Sequence, residues 1–426
     1  MRRARRRRTP RPDASASRRR PLTPPPDRPL TLLQTSDWHV GSPLHGRGLG
    51  LPPELRRARR EEVDAAAERA VAAGLAAGAD GMLVPGDLWD SESVPPQAVA
   101  RVLEAFAAFA PRPVFVAPGN HDFAGEGGFY DPAVLRALGM RPWPENVVVF
   151  RSGRFETVPF AGRADASVTG RAFLSQAVET GRPLGDPPRR PDGAYALLLL
   201  HGSLETYAGP DAAAGRKRTA PFSRDELLAA GFRWAALGHH HSFQAVEDGE
   251  GRPVAAYSGS PAGRGLDETG PRSFLKVTLL PDGGNAVEEL PADDRGVHDL
   301  RLDVSGLDAA LARERLAALL ASARVGARDL VRVTLTGAKP HGASLDLALP
   351  EAAVRPASLL LRDRTAPGRD EEPDERTAEG RFLAAMTGRL SSAPDERSRR
   401  VVELATRLGR DALAGRALLP EPPEEF

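Results

Sequence analysis

The 426-residue chain contains no cysteine. Disulfides, thiolate nucleophiles and zinc–thiolate sites are therefore excluded, and any metal must be held by nitrogen and oxygen. No run of about 18 apolar residues occurs, so the text offers no candidate for a membrane-crossing helix. No GxxxxGK[ST] phosphate loop occurs either, so hydrolysis of ATP by that device would fall to a partner. Net charge is nearly absent at +1, but the balance is uneven. Residues 1–29 set eleven Arg against two Asp, a balance of +9 that leaves −8 for the rest. This head has few apolar residues and no periodicity, as in a disordered basic arm, and it lacks the apolar h-region of a secretory signal. It reads either as an arm that touches nucleic acid or as untranslated sequence ahead of the true start. On an acidic body, DNA affinity must come from local basic patches.

What remains is ordinary globular text: 41% hydrophobic and 27% charged residues, long enough for two or three domains. From Leu30 apolar runs alternate with helical stretches. "LTLLQTSD", "DGMLVPGD" (80–87) and "PVFVAPGNHD" (113–122) read as strands. One long alanine-rich helix is expected over 53–78 and another over 96–109. "NVVVF" and "FETVPF" (within 146–160), "AYALLLLH" (194–201), "FRWAAL", "PVAAYSG" (253–259) and "SFLKVTLL" (273–280) are further strands, and 224–231 a short helix. The alternation predicts an α/β layered sheet with helices on its outer faces, completed by antiparallel strands. Beyond residue 295 a strand–helix–strand pattern suggests a separate small α/β domain. The expected organisation is a basic arm (1–29), a catalytic domain (30–294), a capping domain (295–361), a charged linker (362–376) and a helical C-terminal region (377–426).

The chemistry gathers at the carboxyl ends of these strands, where open α/β sheets place their ligands. Asp37 and His39 stand in "TSDWHVG", Asp87 and Asp90 in "PGDLWD", and Asn120, His121 and Asp122 in "PGNHD". His201 ends "LLLLH", and "LGHHHS" supplies His239, His240 and His241. Three adjacent histidines alone fit a solvated loop as well as a site. An extended backbone, however, turns alternate side chains to one face, so His239 and His241 suit ligation with His240 as bystander. The chain has nine histidines, and five of them, leaving His240 aside, lie among these strand-end residues, which favours a site. Imidazole, carboxylate and amide donors without sulfur suit Mn²⁺, Fe²⁺, Zn²⁺ or Mg²⁺. Six or seven donors exceed one tetrahedral ion and fit two ions, with a carboxylate such as Asp87 able to bridge them. Such a pair polarises a phosphoryl group and activates water near neutral pH, which makes phosphoesters the natural substrate class.

In this order the blocks resemble the calcineurin-like metallophosphoesterases, whose signature runs D-x-H, G-D-x-x-D, G-N-H-D, a lone His and G-H-x-H. The resemblance implies one ion on Asp37, His39, Asp87 and His241, and a second on Asp87, Asn120, His201 and His239. It implies that His121 stabilises the transition state or protonates the leaving oxygen. The text around 219–280 is similar to the DNA-repair exonuclease branch of the SbcD and YhaO type. That likeness implies a DNA exo/endonuclease with two divalent ions, Mn²⁺ first among them. It also implies a homodimer, a coiled-coil P-loop ATPase partner of the SbcC type, and a cytoplasmic, nucleoid-associated location. The alternatives are a small-molecule phosphodiesterase or nucleotidase on the same fold, and a non-catalytic metal-bound scaffold for an ATPase.

Other residues carry weaker expectations. Asp90 and Asp122 suit orienting roles more than ligation, and Trp38 and Trp89 suit the wall of the site. His45 reads as an exposed histidine, and His298 and His341 carry no role. Arg163, Arg264, Lys217 and the "GRKR" of 215–218 are candidates for gripping phosphates. Val401, Leu404 and Leu408 form an amphipathic stripe that either docks on a partner or packs back on its own domain.

Overall fold

In the computed structural model the described residues are 28–44, 49–90, 94–209, 218–339, 347–367 and 376–413. Expectations for residues 1–27, His45, Lys217, His341 and the middle of the charged stretch, 368–375, therefore lie outside them. The chain divides into two compact units, one built from residues 1–43, 57–262 and 272–292, the other from 44–56, 263–271 and 293–426.

The first unit contains two six-stranded sheets where the sequence suggests one. The first runs β12 (Asn285–Pro291), β11 (Ser273–Leu279), β1 (Leu30–Gln34), β2 (Gly81–Val84), β3 (Val114–Val116) and β4 (Val147–Val149). Strands β1 to β4 are parallel, and β11 and β12 add on antiparallel. The second runs β5 (Glu156–Phe160), β6 (Arg163–Gly170), β7 (Tyr195–His201), β8 (Trp234–Gly238), β10 (Pro253–Tyr257) and β9 (Gln244–Glu247). Here β6, β7, β8 and β10 are parallel, while β5 and β9 close the edges antiparallel. Not every late strand is thus an antiparallel addition to one sheet. Strand β6, "RADASVTG", carries polar residues in its first half and gives a faint period-two signal.

The pattern of β7 explains the layering. All seven residues of "YALLLLH" are buried, as a parallel strand covered on both faces requires. Leu197 and Leu199 face Leu32, Leu83 and Phe115 of the first sheet in a core between the sheets. Leu198 and Leu200 face outward, under Leu204, Phe222 and Leu227. On the far side of the first sheet, Leu33, Met82, Val84 and Val114 are covered by Ala66, Ala70 and Val71 and by Val99, Val102 and Phe106. Those residues belong to α2 (Ala66–Ala76) and α3 (Pro96–Ala108).

The helix expected over 53–78 is two, α1 (Pro53–Asp64) and α2, broken at Ala65. Alanine carries no helix-breaking tendency, so composition gives no warning. Beside the break, the Asp64 carboxylate accepts from the Gly41 N–H at 2.8 Å, tying the helix to the loop that bears His39. Pro132 opens the short α4 (Pro132–Ala137), and a reciprocal Ser223–Glu226 capping box opens α5 (Arg224–Ala229).

The second unit holds a parallel three-stranded sheet, β13 (Val297–Asp303), β14 (Leu330–Thr336) and β16 (Ser358–Asp363). Helix α6 (Ala309–Ser322) lays Leu316 and Leu320 on Val331 and Val333. A short parallel pair joins β15 (Ala338–Lys339) to β17 (Ala366–Pro367). Strand structure therefore continues into the stretch expected as linker. Helices α7 (Ala378–Ser391) and α8 (Glu396–Leu413) form the C-terminal part of the described chain.

One buried side chain joins the two sheets of the first unit by polar bonds. The Gln34 amide on β1 donates to the Ala256 carbonyl at 2.6 Å and accepts from the Trp234 indole N–H at 2.9 Å. Replacing it with an apolar group of similar size strands both partners away from water. Gln34→Leu is expected to lower unfolding free energy by roughly 2–5 kcal/mol, the cost of two unsatisfied buried groups. Urea denaturation of the two proteins side by side checks this, and coincident midpoints would refute it.

Candidate metal centre

The strand-end residues meet in one buried cluster of the first unit. Asp37 and His39 follow β1, Asp87 follows β2, Asn120 and His121 follow β3, His201 ends β7, and His239 and His241 follow β8. Asp37, His39, Asp87, His201 and His241 are each no more than 2% exposed. Both sheets contribute. Asp37, His39 and His241 bring one donor atom each within mutual reach, and so do Asp37, Asp87 and His201.

The backbone there is held in conformations that side-chain-bearing residues seldom adopt. Asp37 (φ 55°), His39 (φ 48°), Asp87 (φ 54°) and His239 (φ 109°) all have positive φ. Such strain is stable only when the surroundings over-determine it. Here they do. Asp37 N–H donates to the Gly86 carbonyl, and His39 N–H to the Asp87 carbonyl, each at 3.0 Å. The His239 N–H donates to both Asp37 oxygens, at 3.0 and 3.2 Å, linking the strand ends of the two sheets. The His121 N–H donates to Asp87 Oδ1 at 3.0 Å.

Glycines lie where a methyl group would fill the site. A Cβ on Gly119 would collide with Asp87 Oδ1, and one on Gly86 would lie 2.6 Å from His201 Nδ1. A Cβ on Gly238 would collide with the Pro85 carbonyl. The first Gly of "GDLWD", that of "GNHD" and that of "GHHH" are therefore steric requirements of the cluster.

Two of the imidazoles meet a neighbour on the outer nitrogen. His201 Nδ1 faces the Pro85 carbonyl at 2.9 Å, and His39 Nδ1 faces Asp90 Oδ1 at 3.2 Å. With protons on these Nδ1 atoms, both Nε2 lone pairs would turn into the cluster. There, His39 Nε2 lies 3.2 Å from His241 Nε2, and His201 Nε2 lies 3.0 Å from Asn120 Oδ1. Asp87 Oδ2 stands 3.6 Å from both His39 Nε2 and His201 Nε2, midway between the two groups. Electron-rich atoms facing one another around two buried carboxylates are a donor set for cations. The same potential acts on His201. Burial opposes charge on its imidazole, yet Asp87, Asp37 and the Pro85 carbonyl outweigh burial and raise its pKa.

The remaining strand-end residues divide by what they touch. Asp90 meets the outer nitrogen of His39, so it orients that ring, and its carbonyl lies 3.0 Å from His121 Nδ1. Asp122 accepts from the N–H groups of Asp87, Leu88 and Gly119 and from the Tyr130 hydroxyl, which makes it the anchor of two metal-site loops. Burial, with Asp87 beside it, raises its pKa. His240 turns to an aromatic partner, stacking on Tyr207 with centroids 3.6 Å apart. Trp38 and Trp89 are buried in the wall, Trp89 edge-on to Phe129.

Two phosphate-gripping candidates are corrected. Arg163 grips Asp165 through two nitrogens at 2.8 Å and donates to the Arg28 and Pro29 carbonyls, near the start of β1 and away from the strand ends. Arg264, in the second unit, is fully buried and donates to Glu268 Oε2 at 3.1 Å. Both guanidiniums are engaged by the fold. Conversely, the sequence gives no sign of Arg272, whose guanidinium donates to the His241 carbonyl at 2.6 Å. It lies 31 residues beyond its target, in text that reads only as the start of a strand.

Comparison with known proteins settles the family. The model of the calcineurin-like phosphoesterase family matches residues 30–255, over half of the chain. The chain belongs to the calcineurin-like phosphoesterases. It is similar to the uncharacterized metallophosphoesterase YhaO of Bacillus subtilis, 28% identical over 252 residues, or 58% of this chain and 57% of that protein. The match thus spans little more than half of the YhaO length. Similarity to the SbcD component of the nuclease SbcCD of Rhodobacter capsulatus is 28% over 410 residues, 84% of this chain and 94% of that one. With the DNA double-strand break repair protein Mre11 of Aeropyrum pernix it is 27% over 353 residues, 78% and 79% of the two. As a phosphoesterase, the chain is a hydrolase of a family that uses divalent metals, and the donor set described above fits that requirement.

The packing at Gly119 gives a test that does not depend on turnover. Gly119→Ala is expected to displace the Asp87 carboxylate and lower the bound Mn²⁺ per chain, measured by equilibrium dialysis, with the circular dichroism unchanged. Full occupancy in the variant would show that the Asp87 carboxylate does not need the space that Gly119 leaves.

Proposed function

We propose that the chain is a two-metal DNA exo/endonuclease. Asp37, His39, Asp87 and His241 would hold one ion, and Asp87, Asn120, His201 and His239 the other, with Mn²⁺ the first candidate. The observation that carries the two-ion reading is Asp87 Oδ2 at equal distance, 3.6 Å, from an imidazole of each group. Two such ions supply Lewis acidity at phosphorus and an activated water near neutral pH. The chain's own residues do the rest. His121 is held at the rim by two bonds, its N–H on Asp87 and its Nδ1 against the Asp90 carbonyl. Its ring stands edge-on to His39, centroids 4.7 Å apart. From there Nε2 is positioned to donate a proton to the departing oxygen or to stabilise charge on the phosphoryl oxygens.

DNA as substrate rests on the relatives named as part of a nuclease and as a double-strand break repair protein, over most of this chain's length. A partner reading accompanies it. Val401, Leu404 and Leu408 on α8 are 49%, 38% and 37% exposed, which leaves part of the stripe accessible. It suits the apolar contact that a coiled-coil ATPase of the SbcC type would make, in a homodimer, in the cytoplasm near the nucleoid. No helix among the described residues is long and apolar enough to cross a membrane.

The deciding assay is Mn²⁺-dependent cleavage of end-labelled duplex and single-stranded DNA, with bis-p-nitrophenyl phosphate alongside. Asp87→Ala is expected to abolish turnover and reduce metal at both positions. Turnover of the small diester alone would place the chain with small-substrate phosphodiesterases. His121→Asn is expected to keep its metal and lose about 10²–10⁴ in kcat, and a near-normal rate would assign the proton to another group.

A further inference from the structure

Beside the metal centre lies a cavity of about 270 Å³, lined among others by Arg171, Phe173, Leu174, Val178 and Glu179. Two features tie it to the cluster. The Phe173 ring stands edge-on to His201, centroids 5.6 Å apart. Its backbone is bonded on both sides to the loop of Asn120 and His121: Phe173 N–H donates to the Pro118 carbonyl at 3.0 Å, and Ala124 N–H to the Phe173 carbonyl at 2.8 Å. The cavity wall and the loop of Asn120 and His121 are therefore joined through backbone bonds.

Its chemistry is mixed in a particular way. Leu174 and Val178 present 52% and 45% of their surface to solvent, an apolar pair without cover. Arg171 and Glu179 form a two-pronged ion pair at 2.7 and 2.8 Å, and the guanidinium lies over the Phe173 and Phe155 rings at 6.0 and 5.9 Å. The Arg171 Nε–H is buried and has no acceptor among the described residues. Exposed apolar side chains beside a planar guanidinium–carboxylate pair offer a planar heterocycle both a surface to cover and a polar edge. The volume is below the ~300–1,000 Å³ of a drug-sized site, so it suits one such ring and not a duplex.

We propose that this cavity receives one nucleobase, unstacked from the nucleotide whose phosphate lies at the metal centre. The base packs on Leu174 and Val178, with its polar edge toward the Arg171–Glu179 pair. The inference rests on the nucleotidyl substrate proposed above, but it holds for a mononucleotide as well as for a strand end.

The variant Leu174→Ser with Val178→Ser alters two exposed side chains and leaves the metal cluster untouched. In the Mn²⁺-loaded full chain, two measurements are made. The first is binding of a 2-aminopurine dinucleotide with a non-cleavable phosphorothioate link, against its abasic counterpart, by fluorescence anisotropy. Wild type is expected to prefer the base-bearing form by roughly tenfold, and the variant to lose that preference. Equal preference in the two proteins overturns the proposal, whether or not DNA is cut. The second is turnover of end-labelled DNA and of bis-p-nitrophenyl phosphate. A KM raised about tenfold for DNA, with the small diester unaffected, supports the pocket on a polynucleotide. Loss of both activities together overturns it, because the damage would then lie in the metal site. If wild type cuts no DNA yet shows the base preference, the nuclease reading fails and the pocket stands as that of a nucleotide phosphoesterase.

Discussion

Two carboxylates, those of Asp37 and Asp87, lie out of water at the ends of adjacent parallel strands, with histidine rings turned toward them. Burying ionised groups is costly unless opposite charge is supplied. Around these two the architecture collects imidazole and amide donors, whose lone pairs point inward, and so creates a demand that a divalent cation meets. Positive φ at Asp37, His39, Asp87 and His239, glycines without room for a methyl, and the anchor at Asp122 all serve that placement. The arrangement fits the divalent-metal chemistry of the phosphoesterase family.

Much of this was legible because ligands at strand ends leave a local trace. An apolar run closing on Asp or His, repeated across the chain, is readable one block at a time. The i and i+2 spacing carried the reading of His240, whose ring indeed turns to Tyr207. Orienting groups left less trace. Asp90 and Asp122 suit orienting roles in the sequence, but the partners they hold, the His39 outer nitrogen and three backbone N–H groups, are contacts of the fold. Arg272 acts through one bond to a carbonyl across 31 residues, which no periodicity encodes.

The misreadings have a common physical origin. A strand buried on both faces looks the same whether it belongs to one sheet or to the second of a stacked pair, so the two-sheet arrangement was hidden. The break at Ala65 sits in alanine-rich text where local propensity favours continuity. Arg163 and Arg264 have the composition of phosphate clamps, yet each has an acidic residue within a few positions that takes up its charge. Sequence shows what a side chain can bind, and packing decides which partner reaches it first.

The donors come from both sheets, and the Gln34 amide joins those sheets just below the cluster. The spacing between donor atoms from the two sheets is consequently set by the hydrophobic layer between them. A sub-ångström slip of one sheet over the other would change no ligand's identity and still misalign them all. Interior positions such as Leu199 and Trp234, which touch nothing that reacts, thereby act as shims, and volume changes there are a route by which distant substitutions tune the chemistry.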